Sequence, residues 1–237
     1  MSSHFFPEGV RSESPICSAT RNMKFFRRRP FLSPRARILV VCEGKKTEPN
    51  YLRSFKHNAQ CRLVDVEVIG EGAVPKTVVE RAVELKKKAE QEARRSRDAF
   101  RKYDEAWCVF DVDAHPNLNE AKQQAQANGL LLAVSNPCFE LWLILHFQDQ
   151  HGHIERVHAR AECRWHMPGY DKDAPIQILM PRYTEAVQRA NDLDRWQIDQ
   201  GRPGANPSTG VHKLTERIKE LGKDSLLRKQ KDLRCQR

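Results

Sequence analysis

The chain has 237 residues, of which 39% are hydrophobic and 30% charged, and its formal net charge is +10. No apolar stretch is long enough to cross a bilayer, and the N-terminus lacks the apolar segment of a secretory signal. We therefore expect a soluble, cytoplasmic protein with one full core and no membrane partner. The seven cysteines form no CxxC pair, which argues against a disulfide framework and a zinc site.

The positive charge lies at the two ends of the chain. Residues 1–37 hold eight Lys and Arg against two acidic residues, and residues 211–237 hold nine against four. Both basic ends are suited to contact nucleic-acid phosphates. Basic tails are also common on proteins that bind no nucleic acid, so the charge alone does not show whether this protein binds it.

Strand-like and helix-like patterns alternate along the first 150 residues. In chain order they are a strand at 37–42, a helix at 48–58, a strand at 62–69, a helix at 75–102, a strand at 106–110, a helix at 117–128, a strand at 130–134 and a buried helix at 138–147. This alternation predicts an α/β fold with a mostly parallel, four-stranded sheet that is covered on both faces.

The pattern changes after residue 150, where only helices are predicted, the clearest at 181–196 and 208–228. Three segments follow from this change. Residues 1–36 are expected to be basic and disordered, residues 37–150 to form the α/β core, and residues 151–237 to form a helical region that packs on the core and ends in a basic tail.

Acidic residues follow three of the four predicted strands. The first strand ends at Glu43, the third at Asp111 and Asp113, and the fourth is followed by Glu140 in the first turn of the next helix. Because the functional crevice of an open parallel sheet lies beyond the carboxyl ends of its strands, these carboxylates are expected to meet. Asp111 and Asp113 point to one side of the strand and can share a hard cation, Mg²⁺ or Mn²⁺.

Each of these features also has a purely structural interpretation. Glu43 before a glycine is typical of a turn, and an Asp-x-Asp pair is typical of a solvated loop. Glu140 is either a third carboxylate of the site or a stabiliser of its own helix, because acidic residues are favoured in a first turn. Their coincidence at one edge of the predicted sheet favours a site.

Four separated motifs carry a resemblance to a known family. They are VVCEGKKTEPNY at 40–51, FDVDAHPN at 110–117, SNPCFELWLILHF at 135–147 and NPSTGVHKL at 206–214. The Glu-Gly after the first strand and the Asp-x-Asp after the third resemble the signature of the Toprim domain, and the four motifs together resemble the RloB-like proteins. The resemblance covers about residues 37–220.

The resemblance implies a Toprim-like three-layer sandwich, in a small protein that is often encoded beside an AAA- or ABC-type ATPase in bacterial anti-phage systems. No topoisomerase tyrosine domain or primase zinc domain fits within this length. We therefore expect either a metal-dependent nuclease that cleaves RNA, such as tRNA, or DNA, or a catalytically idle relative. Its oligomeric state is left open.

The expected mechanism is metal-assisted hydrolysis of a phosphodiester. Asp111 and Asp113 would hold Mg²⁺ or Mn²⁺, which polarises the phosphate and lowers the pKa of a bound water. Glu43 would be either a further ligand or the base that takes the proton of the water.

Basic residues are the candidates for contacts with the nucleic acid. Lys45 and Lys46 either neutralise charge that develops on the phosphate or are solvated in a loop. His115 is either the proton donor to the leaving group or the cap of a loop. Lys213 and Arg217, on the basic C-terminal helix, are expected to bind nucleic-acid phosphates unless they only solvate the outer face of that helix.

Two other functions fit the same residues. The crevice could hold a nucleotide or an RNA end without cleaving it and so regulate a partner ATPase. The chain could also be a structural adaptor. Turnover of labelled RNA or DNA would separate the enzyme from the binding protein, and metal-dependent thermal stabilisation would argue against the adaptor.

Overall fold

The computed structural model describes residues 36–59, 64–112, 118–171 and 173–234. Residues 1–35 of the predicted N-terminal segment, together with Asp113 and His115, lie outside the described residues, whereas Ala36, assigned to that segment, begins the first strand. In chain order the elements are β1 Ala36–Cys42, α1 Thr47–Asn58, β2 Val64–Gly70, α2 Pro75–Ser96, a 3₁₀ turn Ala99–Arg101, β3 Glu105–Asp111, α3 Leu118–Ala127, β4 Leu131–Asn136, α4 Glu140–Ile144, α5 Arg156–His166, α6 Ile176–Leu179, a 3₁₀ turn Met180–Arg182, α7 Tyr183–Asp199, β5 Ser208–Thr209 and α8 Val211–Arg234.

The sheet has the strand order β2-β1-β3-β4-β5. Strands β1 to β4 are parallel to one another, as the alternation of strands and helices predicts. The fifth strand is antiparallel and pairs Ser208 with Asn136 and Thr209 with Ser135. The prediction of a mostly parallel α/β sheet is confirmed, with one strand more than expected.

The additional strand replaces the beginning of a predicted helix. Residues 208–209 were expected to be helical, whereas α8 begins only at Val211. Two residues are too few to show the alternation that identifies a strand, and Ser208 and Thr209 become one only because β4 lies beside them. The predicted helix at 75–102 is likewise shorter: α2 ends at Ser96, because Arg97 adopts the left-handed conformation with φ of 52°.

Two hydrophobic cores lie on the two faces of the sheet. The five residues 38–42 are fully buried and alternate between the faces, so Val40 belongs to one core and Val41 to the other. Helices α2 and α3 cover one face, and α1 and α4 to α8 cover the other. The layers are therefore helix, sheet and helix, and the helices after residue 150 contribute to the larger core.

Side chains of α1 cover the outer edge of β2. Arg53 donates a hydrogen bond to the carbonyl oxygen of Val68 at 2.8 Å, and Lys56 donates one to the carbonyl oxygen of Val66 at 3.3 Å. Both acceptors are backbone groups that have no neighbouring strand on that side. Among the described helices, none is both long and apolar enough to span a membrane.

Candidate functional site at the carboxyl edge of the sheet

The loop after β1 is held against its neighbours by backbone hydrogen bonds. The Glu43 amide donates to the carbonyl oxygen of Val109 in β3 at 2.8 Å. The Gly72 amide, after β2, donates to the carbonyl oxygen of Glu43 at 2.7 Å. A Cβ at Gly70 would lie 2.7 Å from the carbonyl oxygen of Gly44, so the two loops approach more closely than any side chain at residue 70 would allow.

Glu43 and Asp111 lie together at the carboxyl ends of β1 and β3. A carboxylate oxygen of Glu43, Oε2, accepts a hydrogen bond from the Asp111 amide at 3.1 Å. This contact follows from the parallel register, which pairs Cys42 with Val109 and so brings the next residues of both strands to one edge. The proximity expected from the sequence is present for this pair.

Two arginines of α5 pair with acidic residues at this edge. Arg156 donates to Oδ2 of Asp111 at 2.9 Å, and Arg160 donates to Oε1 of Glu140 at 3.3 Å. Both carboxylates are largely buried, with exposed side-chain fractions of 12% for Asp111 and 6% for Glu140. The guanidinium groups partly offset the cost of burying these charges.

A further buried carboxylate, Glu48, lies in the first turn of α1. Its exposed fraction is 7%. A Cβ at Gly44 would overlap the Glu48 carboxylate, so Gly44 leaves the space that this side chain occupies. Glu48 was predicted only as the start of a helix, and its place among the site carboxylates was missed.

These residues line one pocket with a volume of about 480 Å³. The described lining contains four acidic and four basic side chains: Glu43, Glu48, Asp111, Glu140, Lys45, Lys46, Arg156 and Arg160. Three helices, α1, α2 and α5, begin at this pocket, and none of their N-cap residues, Lys46, Val74 and Glu155, makes a side-chain hydrogen bond to its helix. Because the N-terminus of a helix carries partial positive charge, all three favour an anion in the pocket.

Two of the clustered carboxylates, Asp111 and Glu48, resist ionisation. Burial raises the pKa of Asp111 well above its usual range, and the nearby charge of Glu48 adds to this although Arg156 opposes it. Burial also raises the pKa of Glu48, and Glu140 and Glu43 add to the effect. A bound cation would remove part of this repulsion.

Replacing Glu48 with glutamine should stabilise the fold at neutral pH, because it removes a buried negative charge without a change in size. Because the pKa of Glu48 is raised in the fold, folding favours its protonated form. The contribution of this form to folding stability is complete below the pKa that Glu48 has in the unfolded chain, and it is lost as the pH rises through the higher pKa of the folded state. The free energy of unfolding should rise by about 1 kcal/mol, and Tm by ~2–4 °C. Thermal melting near pH 8 and near pH 4 checks this.

The gain in Tm should be present near pH 8 and should shrink near pH 4, where wild-type Glu48 is protonated. Glu92→Gln, at an exposed position of α2, is the matched control and should change Tm little at either pH. A gain of equal size at both pH values would show that the charge of Glu48 is not its source.

The oxygen donors of the pocket fit a hard cation such as Mg²⁺ or Mn²⁺ in chemical type. However, within the described ranges no group of three His, Cys, Asp or Glu side chains stands in an arrangement that could hold a metal ion. Asp111 faces Arg156 instead, and Asp113, the other predicted ligand of that strand, lies outside the described residues. Among the residues that the structure describes, the pocket therefore has oxygen donors of the right chemical type but no assembled set of metal ligands.

The predicted nucleic-acid contacts divide into two groups. Lys45 and Lys46 are exposed and line the pocket. Lys213 instead pairs with Asp194 at 2.6 Å, and Arg217 pairs with Glu105 at 2.6 Å. Glu105 begins β3 whereas Asp111 ends it. Arg217 therefore lies at the amino ends of the parallel strands, and the pocket lies at their carboxyl ends.

His212, whose role the sequence leaves open, is fully buried at the start of α8. Its Nε2 atom lies 3.7 Å from the Asp194 carboxylate. Burial lowers the pKa of His212 to about 4, so the ring is neutral at pH 7. This is the environment of a core histidine and not of a group that exchanges protons with solvent.

Arg156 and Arg160 are the other residues that sequence reasoning missed. They lie 45 and 20 residues from their acidic partners, outside all four motifs. Their spacing of four residues on one helix was the available signal, since it places both on one face.

The sequence model described as RloB-like protein matches residues 38–218. This range begins in β1, ends in α8 and includes every described side chain of the pocket. A search of the curated proteins and a search of the solved structures each returned no match. Because the matched range is well over half of the chain, the protein belongs to the RloB-like family.

Proposed function

We propose that this protein is a Mg²⁺- or Mn²⁺-dependent nuclease with a Toprim-like site, which hydrolyses phosphodiester bonds of RNA or DNA. The observation that carries the proposal is the pocket at the carboxyl edge of the sheet. There, carboxylates from the ends of β1 and β3 meet basic side chains and the starts of three helices. Carboxylates suit a hard cation, and the basic groups suit the phosphate that such a cation would bind.

Glu43, Asp111 and Asp113 would hold the cation, which supplies polarisation of the scissile phosphate and a more acidic water. Glu43 has the alternative role of the base that takes the water's proton. Lys45 and Lys46, at the rim of the pocket, would stabilise the negative charge that develops on the phosphate oxygens.

Glu140 would raise the negative charge of the pocket wall and position Arg160, with which it pairs. His115 remains a predicted proton donor to the leaving group. The role of His115 rests on residue type and place in the chain, so it is the first to test once turnover is measured.

The resemblance supports a biological setting for this activity. We propose that the protein is a cytoplasmic effector of bacterial anti-phage defence and that an ATPase encoded nearby controls it. A free nuclease in the cytoplasm would damage its own cell, so we expect weak hydrolysis by the purified chain and faster hydrolysis when the ATPase is added.

The test combines metal binding with turnover. Calorimetric titration with Mn²⁺ should detect binding to the wild type and lose it in the double variant Asp111→Ala/Asp113→Ala. Labelled RNA and DNA should be cut in Mg²⁺ and left intact in EDTA, with and without the ATPase. Equal Mn²⁺ binding by both proteins would reject the site, and efficient cutting by the chain alone would reject control by the ATPase.

The rival function is binding of a nucleotide or RNA end without hydrolysis. Its supporting observation is that Arg156 and Arg160 neutralise two of the pocket carboxylates, which leaves the helix starts and lysines available for an anion without any metal. Tight binding of RNA or of a nucleotide in EDTA, with no turnover under any condition, would favour this function over the nuclease.

A further inference from the structure

Helix α5 places a row of arginines against the pocket. Arg156, Arg160 and Arg164 are spaced by four residues, so they follow one face of the helix in steps of about 6 Å. Arg156 and Arg160 line the pocket, and Arg164 is exposed one turn farther along. The row therefore leads from the pocket to the surface.

Arg156 and Arg160 contact carboxylates, which are oxygen-bearing anions like a phosphate. A guanidinium group presents several donors in one plane and binds carboxylates and phosphates in the same manner. Arg156 has an exposed side-chain fraction of 29%, and Arg160 of 38%, so both are reached by solvent although their partners are buried. An anionic ligand can thus compete with Asp111 and Glu140 for them.

We propose that Arg156 and Arg160 hold consecutive phosphates of a single-stranded nucleic acid, and that Asp111 and Glu140 occupy the two guanidinium groups while the pocket is empty. The substrate class deepens the function proposed above and rests on it. A pocket of about 480 Å³ has the size of a small-ligand site, and a nucleotide or two of one strand match that size better than a duplex does. Arg164 would guide the strand outward.

This exchange of partners also links the phosphate contacts to the carboxylates. When a cation or a neutralising substitution removes the charge of Asp111, the ion pair between Asp111 and Arg156 weakens, and the strand competes more easily for this guanidinium group. The two residues are then energetically coupled, and the coupling is measurable in binding alone.

The experiment measures binding of a short fluorescent single-stranded oligonucleotide by anisotropy in EDTA. Arg156→Ala and Arg160→Ala should each weaken binding by ~10-fold or more, the scale of a lost hydrogen bond to a charged group. Each should also lower the salt slope by about 0.7, as expected for one single-strand phosphate contact. Asp111→Asn should tighten binding.

The decisive measurement is a double-mutant cycle. The gain from Asp111→Asn should be clearly smaller in the Arg156→Ala background than in the wild type, since part of it comes from releasing Arg156. Arg95→Ala is the matched control, because residue 95 is an exposed arginine near the far end of α2, about 30 Å along a helix that begins at the pocket. Its affinity should equal that of the wild type.

A purely structural role predicts other results. If the pairs only stabilise the fold, Arg156→Ala and Asp111→Asn should both lower Tm, and any loss of binding should follow Tm. Arg156→Lys, which keeps the charge but not the planar donors, should then recover stability and binding together. Under the proposal it recovers Tm but only part of the binding.

Unchanged affinity in Arg156→Ala and Arg160→Ala, or an equal Asp111→Asn gain in both backgrounds, would overturn the inference. Because the assay contains EDTA, its outcome is independent of hydrolysis. If the coupling is observed but the protein never cuts nucleic acid, only the proposed nuclease function is rejected. If the protein cuts nucleic acid in Mg²⁺ but neither arginine substitution affects binding, only the present inference is rejected.

Discussion

Replacing Glu43 with glutamine should lower the rate of hydrolysis at saturating substrate by ~10²-fold or more and leave binding of the oligonucleotide close to that of the wild type. Glutamine has the size of glutamate, and its amide oxygen can still accept the hydrogen bond from the Asp111 amide. The fold at this edge should therefore survive. Only the negative charge, which a cation ligand or a base needs, is removed.

The rate is measured on the labelled RNA or DNA that the wild type cuts, with the ATPase present if the wild type requires it. Glu92→Gln, on the outer face of α2, makes the same chemical change far from the pocket and should cut at the wild-type rate. If Glu43→Gln cut at the wild-type rate, the catalytic site would have to lie elsewhere. If binding fell in parallel with the rate, the role of Glu43 would be structural.

Replacing Gly70 with alanine should destabilise the fold by about 1–3 kcal/mol, the usual cost of inserting a methyl group where no room exists. The new Cβ would lie 2.7 Å from the Gly44 carbonyl oxygen and 2.8 Å from a carbon of Pro49. Because the nearest atom belongs to the backbone, the β1 loop has to move away from the end of β2. We expect hydrolysis to fall with Tm, since this movement displaces Glu43.

Gly152→Ala is the control for this substitution. A Cβ at residue 152 has its nearest neighbour at 3.9 Å, and the residue needs no left-handed conformation, so the change should leave Tm and hydrolysis unaffected. Thermal melting and the cutting assay test both variants. If Gly70→Ala melted like the wild type, the close approach of the two loops would not be a constraint on the site.

The elements that could be predicted from the sequence are those that form because of residues close together in the chain. The run at 38–42 is apolar without alternation because both faces of the strand are buried, and this pattern identified a central parallel strand. The topological rule for parallel sheets then placed Glu43 and Asp111 at one edge, where their contact is found.

The remaining features depend on partners that are distant in sequence. β5 exists because Ser208 and Thr209 lie beside β4, and the pocket arginines are defined by acidic residues 20 and 45 positions away. The basic C-terminal helix illustrates the same limit. The sequence predicts that Lys213 and Arg217 bind nucleic acid or solvate the outer face of their helix, and it does not show that each pairs with an acidic residue of another element.

The protected edges of the sheet restrict how this protein can associate with other chains. At one edge, Arg53 and Lys56 occupy the backbone carbonyls of β2 that an added strand would need. At the other, β5 covers the end of β4 and is only two residues long, too short to template a further strand. Along β2 and at the end of β4, self-association or docking by strand addition is therefore disfavoured, and a partner protein is expected to approach these parts of the sheet through the helical faces.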